Sequence, residues 1–274
     1  MFVLRISVTP LAVEKIKAEL TKSLPDVKSS HRVEALGRGL GFHTYAALRS
    51  ALHSATPVTV AVTARIFSAY LNEHGFEVEE AHLYRAAAQA AIQSILDTVP
   101  RLHIHGIGFV RPQRNADGSR QTPQQQYAEF LERRQECLGR NAAEAFLRSL
   151  ALLARVKPTK TIRSGTGSYR LKHIAENYAC KYPEGGKLGP DYVPNGMLIA
   201  AALHLGFKYR THIDDLGYDT QNASFNMSKV AIDDLDVEIR PRSGLAQDRA
   251  RAREMREARR QGFVIQFSGL HLGP

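Results

Sequence analysis

Residues 164–207, SGTGSYRLKHIAENYACKYPEGGKLGPDYVPNGMLIAAALHLGF, hold two helical patterns of different kind. In the first, Leu171, Ile174, Ala175 and Tyr178 recur at the spacing of one helical face, leaving Arg170, Lys172, His173, Glu176 and Asn177 wholly or partly outside it. Ser168 reads as its cap. The second begins at Pro194, and its run Met197 to Leu205 is apolar almost all round before Gly206 ends it, which predicts a buried helix. A buried helix is not an exposed recognition element, so the 168–177 helix is the candidate for contact with a partner. Between them, KYPEGGKLGPDY is a turn-rich insertion carrying Lys181 and Lys187.

The rest of the chain is mostly helical in pattern. Phe2 to Val8 alternates as a short strand, and Thr9 followed by Pro10 starts a helix with Leu11, Val13, Ile16 and Leu20 along it. Ser29 or Ser30 caps a second helix with Val33, Leu36 and Leu40 inward, and Thr44 caps a third from Tyr45 to His53. Val58 to Val62 is β-branched and extended. A helix from Thr63 to His74 is expected to bury Ile66, Ala69, Tyr70 and Phe67, and one from Glu77 to Leu96 to carry acids in its first turn. Leu102 to Val110, LHIHGIGFV, alternates like a single strand and puts His103 and His105 on one face. Arg111 to Gln126 is a polar loop with an Asp117-Gly118 turn, and from Thr122 and Pro123 an amphipathic helix runs to Val156, kinked at Gly139. Phe263 to Phe267 reads as a last strand. The fold class is therefore mostly α (α+β), with a helical N-terminal lobe (1–100), a strand, polar loop and long connecting helix (101–156), and a basic helical C-terminal lobe with a few short strands (157–274).

Charge separates these segments. The chain carries a formal net charge of +10, and residues 155–210 alone hold ten Lys or Arg against three Asp or Glu. A cluster of that kind attracts polyanions, although a solvated face that only confers solubility has the same composition. LAQDRARAREMREARRQ (245–261) adds six arginines in a helix former without an apolar stripe, including Arg253, Arg256 and Arg260, expected to lie exposed or to cover nucleic acid. Two cysteines far apart in sequence point to reduced thiols in a cytoplasmic protein, and no apolar stretch predicts a membrane span or a secretory leader.

Chemical motifs are sparse, and nothing calls for a cofactor. The Ser-Gly-Thr-Gly-Ser run at 164–168 lacks the Gly-Lys-Ser/Thr ending of a phosphate-binding loop and does not fit the dinucleotide fingerprint, yet its glycines before a helix allow an anion close approach. A His-x-His pair can hold a metal, but no third ligand accompanies His103 and His105, and exposed or hydrogen-bonded histidines remain the alternative. Asp214, Asp215, Asp219, Asp233, Asp234 and Asp236 form an acidic set without a nuclease motif, expected to pair with the basic segment. Lys172, His173 and Glu176, with Asn195 and Asn226 nearby, form the one set that suits metal-independent phosphodiester cleavage, with a His base beside a Lys-stabilised phosphate; phosphate binding or plain charge pairing is the alternative.

Two resemblances accompany these readings. SYRLKHIAE, YVPNGMLIAAALHLGF and NASFNMSK together resemble a pattern in uncharacterised proteins of phages, plasmids and integrative elements, with Cys180 to Asp191 a longer spacer here. That resemblance implies a mobile-element setting rather than a chemistry. KSSHRVEALGRGLGFHTYAALRSAL (28–52) resembles a small helical module described alongside glyoxalase-related sequences and implies no lyase activity, since no metal-ligand pattern accompanies it; helix-turn-helix binding is the alternative to a structural role. The functional expectation is a nucleic-acid-binding accessory protein of a bacterial mobile element. It contacts DNA or RNA phosphates through Lys160, Arg163, Ser168, Tyr169, Arg170, Lys172, His173, Lys181, Lys187, Asn195, Asn226 and the Arg-rich helix. An inhibitor or adaptor docking an acidic protein is the alternative.

Overall fold

The computed structural model describes residues 2–54, 56–109 and 113–268, with side chains described to residue 260. The first strand β1 (Arg5–Val8) pairs antiparallel with β2 (Val58–Ala61), and around this ribbon lie α1 (Pro10–Ser23), α2 (Ser29–Gly39), α3 (Tyr45–Ala51), α4 (Ala64–Glu73) and α5 (Ala81–Thr98). Local chemistry sets the starts of several helices. The Thr9 hydroxyl accepts from the Ala12 amide with Pro10 at the first helical position, and Thr44 accepts from the Ala47 amide. The start of α2 differs from expectation: its cap is Lys28, without a side-chain bond, and Ser29 is already helical.

Two further differences have packing causes. Helix α4 buries Phe67 and Leu71 and leaves Ile66 45% exposed and Ala69 outward, because apolar residues lie on more than one side of ARIFSAYLNE and the α2 and α5 surfaces select among them. Helix α5 starts at Ala81, so Glu77, Glu79 and Glu80 precede it and its first turn carries no acid. Its small residues Ala86, Ala87, Ala88 and Ala90 are all buried, which lets α1, α4 and neighbours from the second half of the chain approach its axis.

That second half begins with a hairpin in place of the single strand expected from Leu102 onward. Strands β3 (Leu102–His103) and β4 (Gly106–Ile107) pair antiparallel across a turn at Ile104 and His105, with Gly106 and Gly108 at φ of 145° and 108°; Val110, Arg111 and Pro112 lie outside the described residues. The long amphipathic pattern folds as two helices, α6 (Pro123–Glu136) and α7 (Arg140–Leu153). Gly139 caps α7 in extended conformation instead of kinking one continuous helix. Only Phe130 of α6 is buried, with Tyr127 and Leu131 outward, whereas α7 is buried along most of its length.

Then follow α8 (Ser168–Glu176), α9 (Asn195–His204), β5 (Tyr209–Ile213), β6 (Asp219–Phe225), α10 (Lys229–Ile239) and α11 (Gly244–Ser268). Helix α11 continues through 263–267, replacing the strand expected there by the same helical hydrogen bonding that precedes it. The sheet order is β3-β4-β6-β5. Helix α9 is buried from Asn195 to Ala202, packed against α7, α8, α5 and the sheet, as an all-round apolar sequence requires. One apolar cluster runs from Phe2 to Leu235, so both halves of the chain share a continuous core. No helix among the described residues is long and apolar enough to cross a membrane.

The hairpin and α9 meet without room for a side chain. The Gly196 amide donates to the Ile104 carbonyl at 2.9 Å, and a Cβ on Gly196 would stand 1.9 Å from the His103 carbonyl oxygen. Gly196→Ala is therefore expected to cost about 2–3 kcal/mol in urea unfolding, while Gly244→Ala, in open space, should stay within about 0.5 kcal/mol of wild type.

Candidate nucleic-acid interface

Helix α8 is held from two sides. Gly167 is its cap and pairs with Ser224 of β6, so Ser168 becomes the first helical residue; its buried hydroxyl accepts from the Ala223 amide at 3.1 Å and does not cap the helix. On one flank Arg170 reaches α10. Its guanidinium bonds Asp233 at 2.7 Å and Asp236 at 2.6 Å, and Asp236 is 3% exposed at the side chain. Of the acids expected to pair with the basic segment, Asp233 and Asp236 do so here; Asp234 pairs instead with Arg249 and Asp219 with Arg101, while Lys229 adds a pair to Asp233 and Arg155 pairs Glu238.

On the other flank, Lys172 is buried rather than outward. Its Nζ lies 2.8 Å from Glu176 Oε1 and about 5 Å from two ring centroids, Tyr169 at 5.4 Å and Tyr192 at 5.1 Å. His173 Nδ1 donates to Glu176 Oε2 at 2.6 Å, which fixes the ring and leaves Nε2 as the nitrogen turned away from the carboxylate. Burial alone would raise the Glu176 carboxyl, but the bonds from Lys172 and His173 outweigh it and hold its pKa below the ordinary value. The three residues with a catalytic reading thus form one hydrogen-bonded unit on a single helix.

The two asparagines are structural. Asn195 is buried at the start of α9, its Nδ2 donating to the Gln221 carbonyl at 3.0 Å, while its Oδ1 is buried with no hydrogen-bond partner in the structure. Asn226 engages its side-chain oxygen, its side-chain amide and both of its backbone polar groups. Its side chain accepts from the Lys208 amide and donates to the Thr159 carbonyl, both at 2.7 Å, and its backbone accepts from the Thr159 amide at 2.6 Å and donates to the Lys208 carbonyl at 3.1 Å. Substituting either partner group would strand buried backbone polar atoms.

This clasp brings together two basic segments about 50 residues apart in sequence. The 157–167 segment runs along one side of the end of β6, through the Pro158–Met227 and Gly167–Ser224 pairings, and β5 runs along the other, with Arg210 opposite Ser224. Lys157, Lys160, Arg163, Lys208 and Arg210 are all exposed on this strip, and no ion pair engages any of them among the described residues. Tyr209 stands between two of them, 39% exposed. Sequence reasoning named Lys160 and Arg163 but passed over Lys208 and Arg210 as site residues; their position two and four residues after Gly206, at the start of the strand that follows the buried helix, was the available signal.

Lys181 and Lys187 are exposed and face each other across a bridge in the insertion, away from the clasp in sequence and pairing. Arg253, Arg256 and Arg260 are exposed on α11. His103 is buried, with Nε2 3.0 Å from the Gly108 carbonyl; its pKa is pushed down to about 4 by burial, so it is neutral near pH 7, whereas His105 is exposed. Among the described residues no group of three or more His, Cys, Asp or Glu is arranged to hold a metal ion. Comparison of the chain with protein-family models, curated proteins and solved structures found no match.

Arg170→Ala removes one of two close cations from each of Asp233 and Asp236, which keep Lys229 and Arg240, and is expected to lower stability by about 2 kcal/mol in urea titration. For Asp233, burial raises the carboxyl but hydrogen bonds from Lys229 and Arg170 outweigh it, so its folded pKa lies below the ordinary 3.8. A depressed carboxylate contributes stability that is complete above its unfolded pKa and lost as pH falls through the folded one. Asp233→Asn should therefore flatten the acid limb of a stability-versus-pH curve below the ordinary value of 3.8 while leaving its slope near neutrality unchanged.

Proposed function

We propose that this chain binds nucleic acid chiefly through phosphates, with the 157–163 and 208–210 strip as the primary contact and the exposed arginines of α11 as a second. The observation that supports this reading is the Asn226 clasp, which holds five exposed cations side by side while the neighbouring Arg170, Lys172 and Lys229 are neutralised by carboxylates. A set of unpaired cations without many polar edge-readers suits a repeating polyanion better than a particular base sequence. The likeness of residues 168–228 to proteins of mobile elements adds an accessory role in such an element to the proposal.

A second reading is a protein partner with an acidic surface. Val230, 66% exposed at the start of α10 and four residues after Asn226, supports it, since an apolar group beside a charged strip suits a protein interface. Salt separates the two. Binding of fluorescent random-sequence DNA and RNA is expected at low salt and to weaken steeply as salt rises. In a Lys160→Gln, Arg163→Gln, Lys208→Gln variant, the slope of log affinity against log salt should flatten by about 0.9 per lost contact on duplex DNA and about 0.7 on single strands. No binding by wild type at low salt, or an unchanged slope in the variant, sinks the phosphate reading; a stoichiometric complex with modest salt dependence supports the protein partner.

A further inference from the structure

Helix α8 presents one residue set that neither its packing nor its ion pairs with α10 account for. Tyr169, Lys172, His173 and Glu176 are spaced by three, one and three residues and so lie along a single face, opposite the buried Leu171, Ile174 and Ala175. Tyr169 is 58% exposed and Tyr192, which meets the same face from the following insertion, is 62% exposed. Both rings share the Lys172 ammonium within about 5 Å, and the His173 ring sits edge-on to Tyr169 at 4.7 Å and 89°.

Neither tyrosine is needed to satisfy that ammonium, which Glu176 already pairs at 2.8 Å. The cost of holding the rings in place is met elsewhere. Tyr192 is fixed through its backbone, its carbonyl accepting from the buried Arg148 guanidinium at 2.8 Å and its amide donating to Asp191, and the next residue, Val193, is wholly buried. Tyr169 is fixed in the first turn of a helix whose cap is tied to β6. Two pre-positioned aromatic faces turned to solvent gain from a planar partner at little entropic cost.

The surroundings specify the partner. Gly167, two residues before Tyr169, pairs with Ser224, which is in turn opposite Arg210, so the cluster continues the cationic strip. Tyr192 also lines a cleft of about 640 Å³ with His105, Arg140, Asn141 and Arg148, room enough for an unstacked base and sugar. A duplex with all bases paired offers these rings nothing, whereas a single strand held by its phosphates on the strip brings its unpaired bases to them.

We infer that Tyr169 and Tyr192 are a stacking site for unpaired nucleobases, with the strip taking the adjoining phosphates, so that the protein prefers single-stranded over duplex nucleic acid. This rests on the phosphate-binding reading above. The test uses the full chain with a single-stranded oligodeoxythymidylate carrying one 2-aminopurine, whose fluorescence falls on stacking, and a duplex of equal length as comparison. Wild type is expected to bind the single strand more tightly and to quench the probe. Tyr169→Leu and Tyr192→Leu should each weaken single-strand binding about tenfold and reduce the quench, with duplex affinity unchanged, and Tyr169→Phe should retain both. Equal affinity of wild type for both forms, or leucine variants that bind and quench as wild type does, overturns the stacking site while leaving phosphate binding intact. Absence of wild-type binding to either form overturns both.

Discussion

A helix with no polar side has to be enclosed, and α9 is that helix. From Met197 to Ala202 every side chain is buried, so α7 and α5, α8 and the sheet must close around it. Burying Met197, Leu198 and Ile199 contributes roughly 1.5–3 kcal/mol each relative to exposure, which makes this enclosure a leading source of stability for the second half of the chain. The close approach at Gly196 fixes where the β3–β4 hairpin sits, and the hairpin in turn fixes β6, whose Gln221 pairs with Ile107. The sheet end that carries the basic strip is thus positioned by an apolar constraint that lies entirely on the other side of it.

Charge is then sorted by what the enclosure leaves at the surface. Helix α10 lies beside α8 with its carboxylates toward it, and it absorbs Arg170, Lys229, Arg249 and Arg155. Paired with carboxylates, these cations add little to the external field; Arg170, on the nearly buried Asp236, also orders the helices, whereas the exposed pairs of Arg155 and Arg249 contribute little to stability. Among the described residues no carboxylate pairs with the cations of the 157–163 and 208–210 segments, which the hydrogen bonds of Asn226 hold on either side of it. Their charges remain unpaired among the described residues and focus the local field on this strip.

What could be read from sequence follows the range over which each signal acts. The caps at Thr9, Thr44 and Thr122, the helix starts at Pro10 and Pro123, and the mostly helical class were legible because each depends on neighbours within a turn. The burial of α9 was legible because its composition allowed no other outcome. The phase of α4, the hairpin hidden in LHIHGIGFV and the fate of Arg170 were not. Alternation alone does not distinguish one strand from two when glycines permit positive φ, and the partner of Arg170 lies 63 to 66 residues away. Lys172 was read as outward because helical spacing places it off the apolar stripe; it is buried because Tyr192, from a segment without periodicity, folds over it. The region of the candidate site was therefore visible as a charge excess, while the division of that excess into paired and unpaired cations was set by contacts that only the fold makes.

Helix α11 shows the same logic at its limit. Among its described side chains, which run to residue 260, only Ala246 is buried, and Arg249 reaches Asp234 at 2.7 Å. Over residues 244–260 its helicity therefore rests on the intrinsic preference of alanine, arginine, glutamate and methionine more than on packing. In such a helix the arginines repel one another wherever no acid stands a turn away, as around Arg256 and Arg259. A bound polyanion would relieve that repulsion and add to helix stability, so the segment that gains least from the protein core is the one that has most to gain from a phosphate backbone.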